Sequence, residues 1–132
     1  MNDETKKWLR FAAENLASAK LLLENHLLNP CLQNAQQAVE KFLKAVLVER
    51  AKLVKRTHSI HELRQLLAEQ GVESGLTEDD CDLLDSIYLP SKYPLGSALP
   101  DFEPDEEISR HCVQIAEQVA AQVSQWLDAT SR

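Results

Sequence analysis

Apolar side chains recur every three or four positions along most of this chain. The first such stretch runs from about Asp3 to Leu28, and the second runs from Pro30 to about Lys52. This recurrence is that of a helix with one buried face, whereas a half-buried strand alternates every two residues. The chain also has only three glycines, which disfavours a turn-rich β fold. The sequence therefore predicts an all-α protein.

The residues between the apolar stretches predict how the helices connect. Asn29 can cap a helix and Pro30 suits its first position, so the first two helices are expected to form an antiparallel hairpin. A third, shorter helix begins where Ser59 and Glu62 have the spacing of a capping box, and a fourth begins with Thr77 as its cap. Two long helices followed by two short ones are typical of a helical bundle.

The segment YLPSKYPLGSALPDFEP, residues 88–104, is the one part of the chain that does not resemble a helix. It contains four of the five prolines and both tyrosines. Long irregular segments inside compact domains are usually functional or disordered, and here apolar side chains predict order over at least the first half. A long closing helix follows over residues 105–129. We therefore predict an up-and-down bundle of four to five helices, with a Pro-rich loop before the last long helix, as a single domain over residues 1–132.

Charge, cysteine spacing and hydropathy exclude several classes of protein. The net charge of −7 argues against a general nucleic-acid coat protein, although residues 49–64 form a local basic stretch. No apolar run is long enough to span a bilayer, and the N-terminus lacks the apolar block of a signal peptide. Cys31, Cys81 and Cys112 are widely spaced without a CxxC pair. This pattern favours free thiols in a reducing cytoplasm and indicates no metal site.

Few residues have the spacing of a known catalytic motif. There is no Gly-rich phosphate loop, no paired-histidine metal motif and no GxSxG. Gln37 and Lys41 lie on one side of the second helix, either as an ordinary polar face or as a strip beside a partner or a phosphate-bearing ligand. Arg56 and His61 could act together on a phosphodiester, although such a pair also arises by chance in a basic stretch. For His58, capping or packing is a simpler explanation than a role as an acid or base.

Four stretches in this order resemble the HEPN-domain family: WLRFAAENLASAKLLLE, CLQNAQQAVEKFLKAVLVERA, THSIHELRQLL and YLPSKYP. The resemblance runs from about Trp8 to Trp126. It implies a helical bundle that is commonly a homodimer and is often encoded beside a minimal nucleotidyltransferase. Some branches of the family are metal-independent ribonucleases that use an arginine and a nearby histidine. Others lack that motif and bind nucleotides or recruit substrates.

The sequence departs from the family pattern at the tyrosine loop. Relatives in this branch usually have Arg-Tyr-Pro, and this chain has Lys92, Tyr93 and Pro94. Lysine keeps the charge but not the bidentate fork that grips a phosphate. The leading interpretation is a protein without a clear catalytic motif or cofactor, which binds a nucleotide or is the partner of a minimal nucleotidyltransferase in a two-component, toxin–antitoxin-like system. The candidate nucleotide- or partner-binding residues are Lys92, Tyr93, Gln37, Lys41 and His58.

Two alternatives remain open at this point. One is a metal-independent ribonuclease acting on RNA, in which Arg56 stabilises phosphate and His61 exchanges protons; this is the only pair in the chain with the expected spacing, but it precedes the third helix instead of lying late in the domain. The other is a non-catalytic structural adaptor in which the polar strip only packs against a partner.

Overall fold

The computed structural model describes residues 1–51, 56–92 and 103–130, with only the backbone described at 51 and 89–92. Within these ranges the chain forms helices and no strand, which confirms the predicted all-α fold. The helices, in chain order, are α1 (Asp3–Glu24), α2 (Leu28–Ala51), α3 (Ile60–Glu69), α4 (Glu78–Lys92) and α5 (Glu106–Thr130). None of the helices in the described ranges is both long and apolar enough to cross a membrane.

Helices α1 and α2 form an antiparallel hairpin with a three-residue connection. Thr5 near the start of α1 hydrogen-bonds Glu49 near the end of α2, as the antiparallel arrangement requires. Helix α1 ends at Glu24, earlier than the predicted Leu28. The reason is His26, whose φ of 57° is left-handed. Its conformation lets the Leu27 amide donate back to the Leu22 carbonyl at 2.9 Å, which closes the helix end.

Helix α2 is the central element because it packs against each of the other four helices. Its predicted apolar stripe is buried at every described position: Leu32, Ala35, Val39, Phe42 and Val46. The sixth predicted member, Leu53, lies outside the described residues. Full burial of one such aliphatic side chain contributes about 1.5–3 kcal/mol, so this stripe is a major source of the bundle's stability.

The short helices α3 and α4 begin at the residues that the sequence predicts. The Ser59 hydroxyl accepts a hydrogen bond from the Glu62 amide at 3.2 Å, and the Thr77 hydroxyl accepts one from the Asp80 amide at 3.0 Å. Helix α3 ends at Glu69, and Gly71 follows with a left-handed φ of 75°. Both predicted caps are therefore confirmed.

The end of α4 corrects the predicted extent of the Pro-rich loop. The prolines suggested a break at Tyr88, whereas α4 continues to Lys92. Tyr88 continues the apolar face of α4 beyond Leu84, and its ring packs against His58. Pro90 falls in the last turn of the helix, where it lacks the amide that would donate to the Ser86 carbonyl, and the helix ends two residues later. The rest of the predicted loop, residues 93–102, lies outside the described residues.

Candidate functional site

A cleft opens between the start of α3 and the face of α4, and we call it the α3–α4 cleft. Its volume is about 360 Å³, within the usual range for a small-molecule site. The residues that line it are Arg56, Thr57, His58, Ser59, Asp85 and Tyr88. The cleft therefore combines a cation, two hydroxyl groups, an imidazole, a carboxylate and an aromatic ring.

His58 is fixed in this cleft by two contacts of different kinds. Its Nδ1 lies 3.0 Å from Oε1 of Glu40 on α2. Its ring stacks on Tyr88 of α4, with ring centroids 4.5 Å apart and planes inclined by 19°. No other hydrogen bond to the imidazole is made within the part of the chain that the structure describes. His58 is 46% exposed, so a ligand in the cleft can reach it.

Glu40 is held in place by a buried ion pair on its own helix. Its Oε2 lies 3.0 Å from Nζ of Lys44, and the two side chains are only 4% and 7% exposed. The Lys44 ammonium also lies 5.6 Å from the ring centroid of Trp8 on α1. Burial of charge is unfavourable unless each group is paired. The carboxylate therefore has two partners, Lys44 and His58, and the second of these belongs to the cleft.

Asp85 of α4 fixes the backbone that carries the cleft residues. Its carboxylate accepts hydrogen bonds from the amides of Ile60 at 2.6 Å and His61 at 3.3 Å, and from the Ser59 hydroxyl at 3.3 Å. Free amides at a helix N-terminus attract negative charge. A carboxylate from α4 supplies that charge here, and it anchors the start of α3 to α4.

The structure separates the residues of the predicted Arg56–His61 pair into different cavities. Arg56 lines the α3–α4 cleft, whereas His61 lines a neighbouring open cavity of about 650 Å³ together with Arg64. His61 Nε2 lies 2.6 Å from a carboxylate oxygen of Asp82. It is His58, not His61, that shares a cleft with Arg56.

The other candidate residues from the sequence are distributed over α2 and the end of α4. Gln37 is half-buried and donates to the side chain of Gln36 at 3.1 Å. Lys41 donates to Asn15 of α1 at 2.7 Å, so it is directed to α1. Of Lys92 only the backbone is described, at the end of α4, and Tyr93 lies outside the described residues.

Sequence reasoning missed two features that organise the cleft. Glu40 and Lys44 have the spacing of a helix-surface ion pair. Only the folded chain reveals that the pair is buried and that Glu40 also holds His58. Asp85 contacts residues about 25 positions away in sequence, and no local pattern predicts such a contact. Tyr88, one of the apolar side chains of the segment predicted to be ordered, lies on α4 and stacks on His58.

The described residues contain neither a metal centre nor a reactive thiol. No group of three or more His, Cys, Asp and Glu side chains within 1–51, 56–92 and 103–130 could hold a metal ion. All three cysteines are buried and free. Burial raises the pKa of Cys81 to about 11 and that of Cys112 to about 12, which keeps both thiols protonated at neutral pH.

Comparison with known proteins assigns the fold and the family. The crystal structure of TT1696 from Thermus thermophilus matches with a TM-score of 0.76 at 27% identity, over 94% of this chain and 98% of that one. The structure of ST0689, an archaeal HEPN homologue, matches with a TM-score of 0.59 at 22% identity, over 92% and 96% of the two chains, and shows the fold alone. No curated protein matches the chain. The model of the HEPN domain matches residues 5–126, so the chain belongs to the HEPN-domain family.

Proposed function

We propose that this HEPN-domain protein binds a nucleotide in the α3–α4 cleft. The observation that carries the proposal is the His58–Tyr88 stack, fixed by buried Glu40, in a cleft that also contains the Arg56 guanidinium. Arginine is suited to phosphate because its planar fork donates two parallel hydrogen bonds. An aromatic platform beside a phosphate-binding cation matches the two halves of a nucleotide.

Each cleft residue has a role in this proposal. Arg56 binds phosphate, and the half-exposed His58 ring, stacked on Tyr88, offers a surface for the base. The hydroxyls of Thr57 and Ser59 can donate to phosphate or ribose oxygens. Asp85 already accepts three hydrogen bonds from the start of α3, so its charge is largely compensated and opposes a bound phosphate less than a free carboxylate would.

Titration with nucleotides tests the proposal directly. Isothermal calorimetry with AMP, ATP and GTP at low and moderate salt should give saturable binding. Arg56→Gln should weaken it about tenfold, because a charge-assisted hydrogen bond is worth roughly 1.5–3 kcal/mol. Arg110→Gln is the matched control, since it removes an exposed arginine from α5, far along the chain from the cleft. Absence of binding at millimolar nucleotide would refute the proposal.

The proposal extends to partners and compartment. We propose a homodimer that associates with a minimal nucleotidyltransferase, on the strength of the family assignment. The three free thiols support a reducing compartment such as the cytoplasm. Lys92, Tyr93, Gln37 and Lys41 remain candidates for the partner- or nucleotide-binding surface. Coexpression with a nucleotidyltransferase encoded beside this gene, followed by size-exclusion chromatography with light scattering, measures both associations.

A metal-independent ribonuclease is the second candidate function. It is supported by a carboxylate-held imidazole and a guanidinium in one cleft, since a carboxylate can orient a histidine for proton transfer. In this version His58 takes the proton from a ribose 2′-hydroxyl, whose oxygen bonds the phosphorus while the bond to the 5′-oxygen breaks. Arg56 stabilises the phosphate charge, and the protonated His58 or water returns a proton to the leaving 5′-oxygen. Growth arrest on expression, relieved by His58→Ala, would support that arrangement, whereas relief by His61→Ala alone would support the Arg56–His61 pair. If the wild type neither arrests growth nor cleaves RNA, both ribonuclease arrangements are excluded.

A further inference from the structure

Three cations surround a single aromatic ring on the surface where α1 meets α2. The Phe11 ring centroid lies 5.9 Å from Nζ of Lys7, 5.2 Å from Cζ of Arg10 and 5.9 Å from Nζ of Lys41. The first two residues belong to α1 and the third belongs to α2. We call these four residues the Phe11 cluster.

No ion pair within the described ranges neutralises the charges of the Phe11 cluster. Within the described ranges, no carboxylate lies within 4.0 Å of Lys7, Arg10 or Lys41. This is unexpected in a chain with 21 acidic residues and a net charge of −7. Because all three charges lie close to one centroid, they repel one another over distances comparable with the Debye length of about 8 Å in physiological salt. An anion bound among them would relieve that repulsion.

Lys41 is held in the cluster by a chain of side-chain hydrogen bonds. Its ammonium donates to Asn15 at 2.7 Å, Asn15 donates to Asn34 at 3.0 Å, and Asn34 donates to the Pro30 carbonyl at 2.9 Å. The neutral Asn15 amide fixes the position of the Lys41 ammonium without neutralising its positive charge. A lysine fixed in this way loses less conformational entropy on binding an anion than a freely rotating one.

The neighbouring cation–aromatic pair shows the contrast. Lys44 lies over Trp8 as Lys41 lies over Phe11, one helical turn away on both helices. Lys44, however, is buried and paired with Glu40, so the Glu40 carboxylate already neutralises its charge. Both surfaces border the same stretch of α2, because Lys41 belongs to the Phe11 cluster, Lys44 lies over the half-buried Trp8 ring, and Glu40 contacts His58 of the α3–α4 cleft.

We propose that the Phe11 cluster binds the phosphodiester backbone of a single nucleic-acid strand whose terminal nucleotide occupies the α3–α4 cleft. This inference rests on the proposed nucleotide site and extends it from one nucleotide to several. Proteins that bind single strands combine a cationic track for phosphates with aromatic side chains for bases. Both kinds of group border residues 40–44 of α2: the cations around Phe11, the Trp8 ring and the His58–Tyr88 stack.

Binding to oligonucleotides of increasing length tests the inference. Fluorescence anisotropy would be measured with labelled strands of one, two, four and eight nucleotides, as RNA and as DNA, at several salt concentrations. The double variant Lys7→Gln/Arg10→Gln would be compared with Lys20→Gln/Arg110→Gln. That control also removes one lysine and one arginine, but both are exposed and already paired with glutamates.

The expected result is affinity that rises with strand length in the wild type. The Lys7→Gln/Arg10→Gln variant should lose about tenfold in affinity for the longer strands. Its slope of log affinity against log salt should fall by about 1.4, because two phosphate contacts are removed. Affinity for a mononucleotide should stay unchanged, and the control should behave as the wild type does. Comparing the RNA and DNA series identifies which kind of strand is bound.

Other outcomes separate the inference from the nucleotide proposal. Mononucleotide binding without any gain from length, or equal losses in the two double variants, would overturn the Phe11 inference and leave the cleft intact. Length-dependent binding that is sensitive to Lys7 and Arg10, without mononucleotide binding, would support the cluster and contradict the cleft. Polyglutamate of matched charge that competes as well as the strands would assign the surface to an acidic protein and overturn the inference.

Discussion

At the scale of the single residue, Glu40 shows how burial changes the meaning of a sequence pattern. Its spacing to Lys44 is that of a helix-surface ion pair, which is worth only a few tenths of a kcal/mol. In the structure the pair is almost fully buried. Desolvation then dominates, so each charge depends on the other. Glu40 consequently holds both a buried ammonium and the imidazole of His58.

Removing either charge of this pair alone should destabilise the fold strongly. We expect Glu40→Leu to lower the free energy of unfolding by about 3–5 kcal/mol, because it leaves Lys44 buried and unpaired. Glu40→Leu/Lys44→Met should recover most of that loss. Urea denaturation followed by circular dichroism measures both. The exposed pair Lys20–Glu117 is the control, and its single variants should lose less than about 1 kcal/mol. Additive effects of the two buried substitutions would contradict this account.

At the scale of the element, α3 depends on α4 for its beginning. It has 10 residues, and helices this short are not stable in isolation. Ser59 satisfies one amide of its first turn, and Asp85 from α4 satisfies two more. The start of α3, and with it the backbone that carries His58, is therefore defined by a residue on another helix.

Loss of the Asp85 carboxylate should loosen α3 locally. We expect Asp85→Ala to reduce stability by about 1–2 kcal/mol, in the range of a lost helix cap. Hydrogen exchange at the amides of Ile60 and His61 should accelerate. Asp82→Ala is the matched control on the same helix, because Asp82 is well exposed and, among the described residues, its carboxylate bonds the His61 side chain and no backbone amide. Equal exchange in the two variants would show that Asp85 is dispensable.

The helix starts could be predicted from sequence better than the helix ends. A cap such as Ser59 or Thr77 is a local signal, because the side chain and the amide it binds are three residues apart. The end of α1 depends on His26 in a left-handed conformation, which glycine or asparagine usually adopts. Near the end of α4, Tyr88 contacts His58 from a distant part of the chain, and no local signal predicts that contact.

At the scale of the whole molecule, one core joins both ends of the chain. Helix α2 packs against α1 and α5, so Trp8 and Trp126 lie on elements that share a core with it. Three buried thiols, Cys31, Cys81 and Cys112, belong to the same core. From this shared core we expect the chain to fold as a single domain.

The two tryptophans provide a test of cooperative unfolding. We expect the variants Trp8→Phe and Trp126→Phe, each with one fluorophore left, to give one transition in urea. Within each variant, the midpoint from fluorescence should coincide with the midpoint from circular dichroism, because one domain of this size usually unfolds in a two-state manner. Separate midpoints within one variant would indicate that α1 or α5 unfolds independently.

The buried thiols should make stability fall at alkaline pH. Burial raises the pKa of Cys81 to about 11 and that of Cys112 to about 12 in the folded chain, from the ordinary 9.0. Because the pKa values are higher in the folded chain, the thiols contribute their full stabilisation below about pH 9. This contribution is lost as the pH rises through the pKa values of the folded chain. The Cys81→Ala/Cys112→Ala variant should be less stable than the wild type at about pH 8. Between about pH 9 and 11, however, its free energy of unfolding should fall less than that of the wild type. Equal slopes of the urea midpoint against pH would contradict the linkage.

The candidate site was less predictable than the fold for a physical reason. Helical periodicity and family resemblance are carried by many residues, so the all-α fold follows from the sequence. The α3–α4 cleft depends on contacts such as Glu40–His58 and Asp85–Ile60, which join distant parts of the chain. Sequence reasoning identified Arg56 and His58 separately, but only the folded chain brings them into one cleft.

The α1–α2 hairpin also has a consequence for the order of assembly during synthesis. Its two helices are consecutive and their connection is short, so little loop-closure entropy opposes their pairing. The hairpin can therefore form on the ribosome before α5 has been made. Until then, the face of α2 that later contacts α5 is exposed to solvent and to other nascent chains. Truncation before Glu106 should consequently yield an aggregation-prone intermediate that retains helical structure.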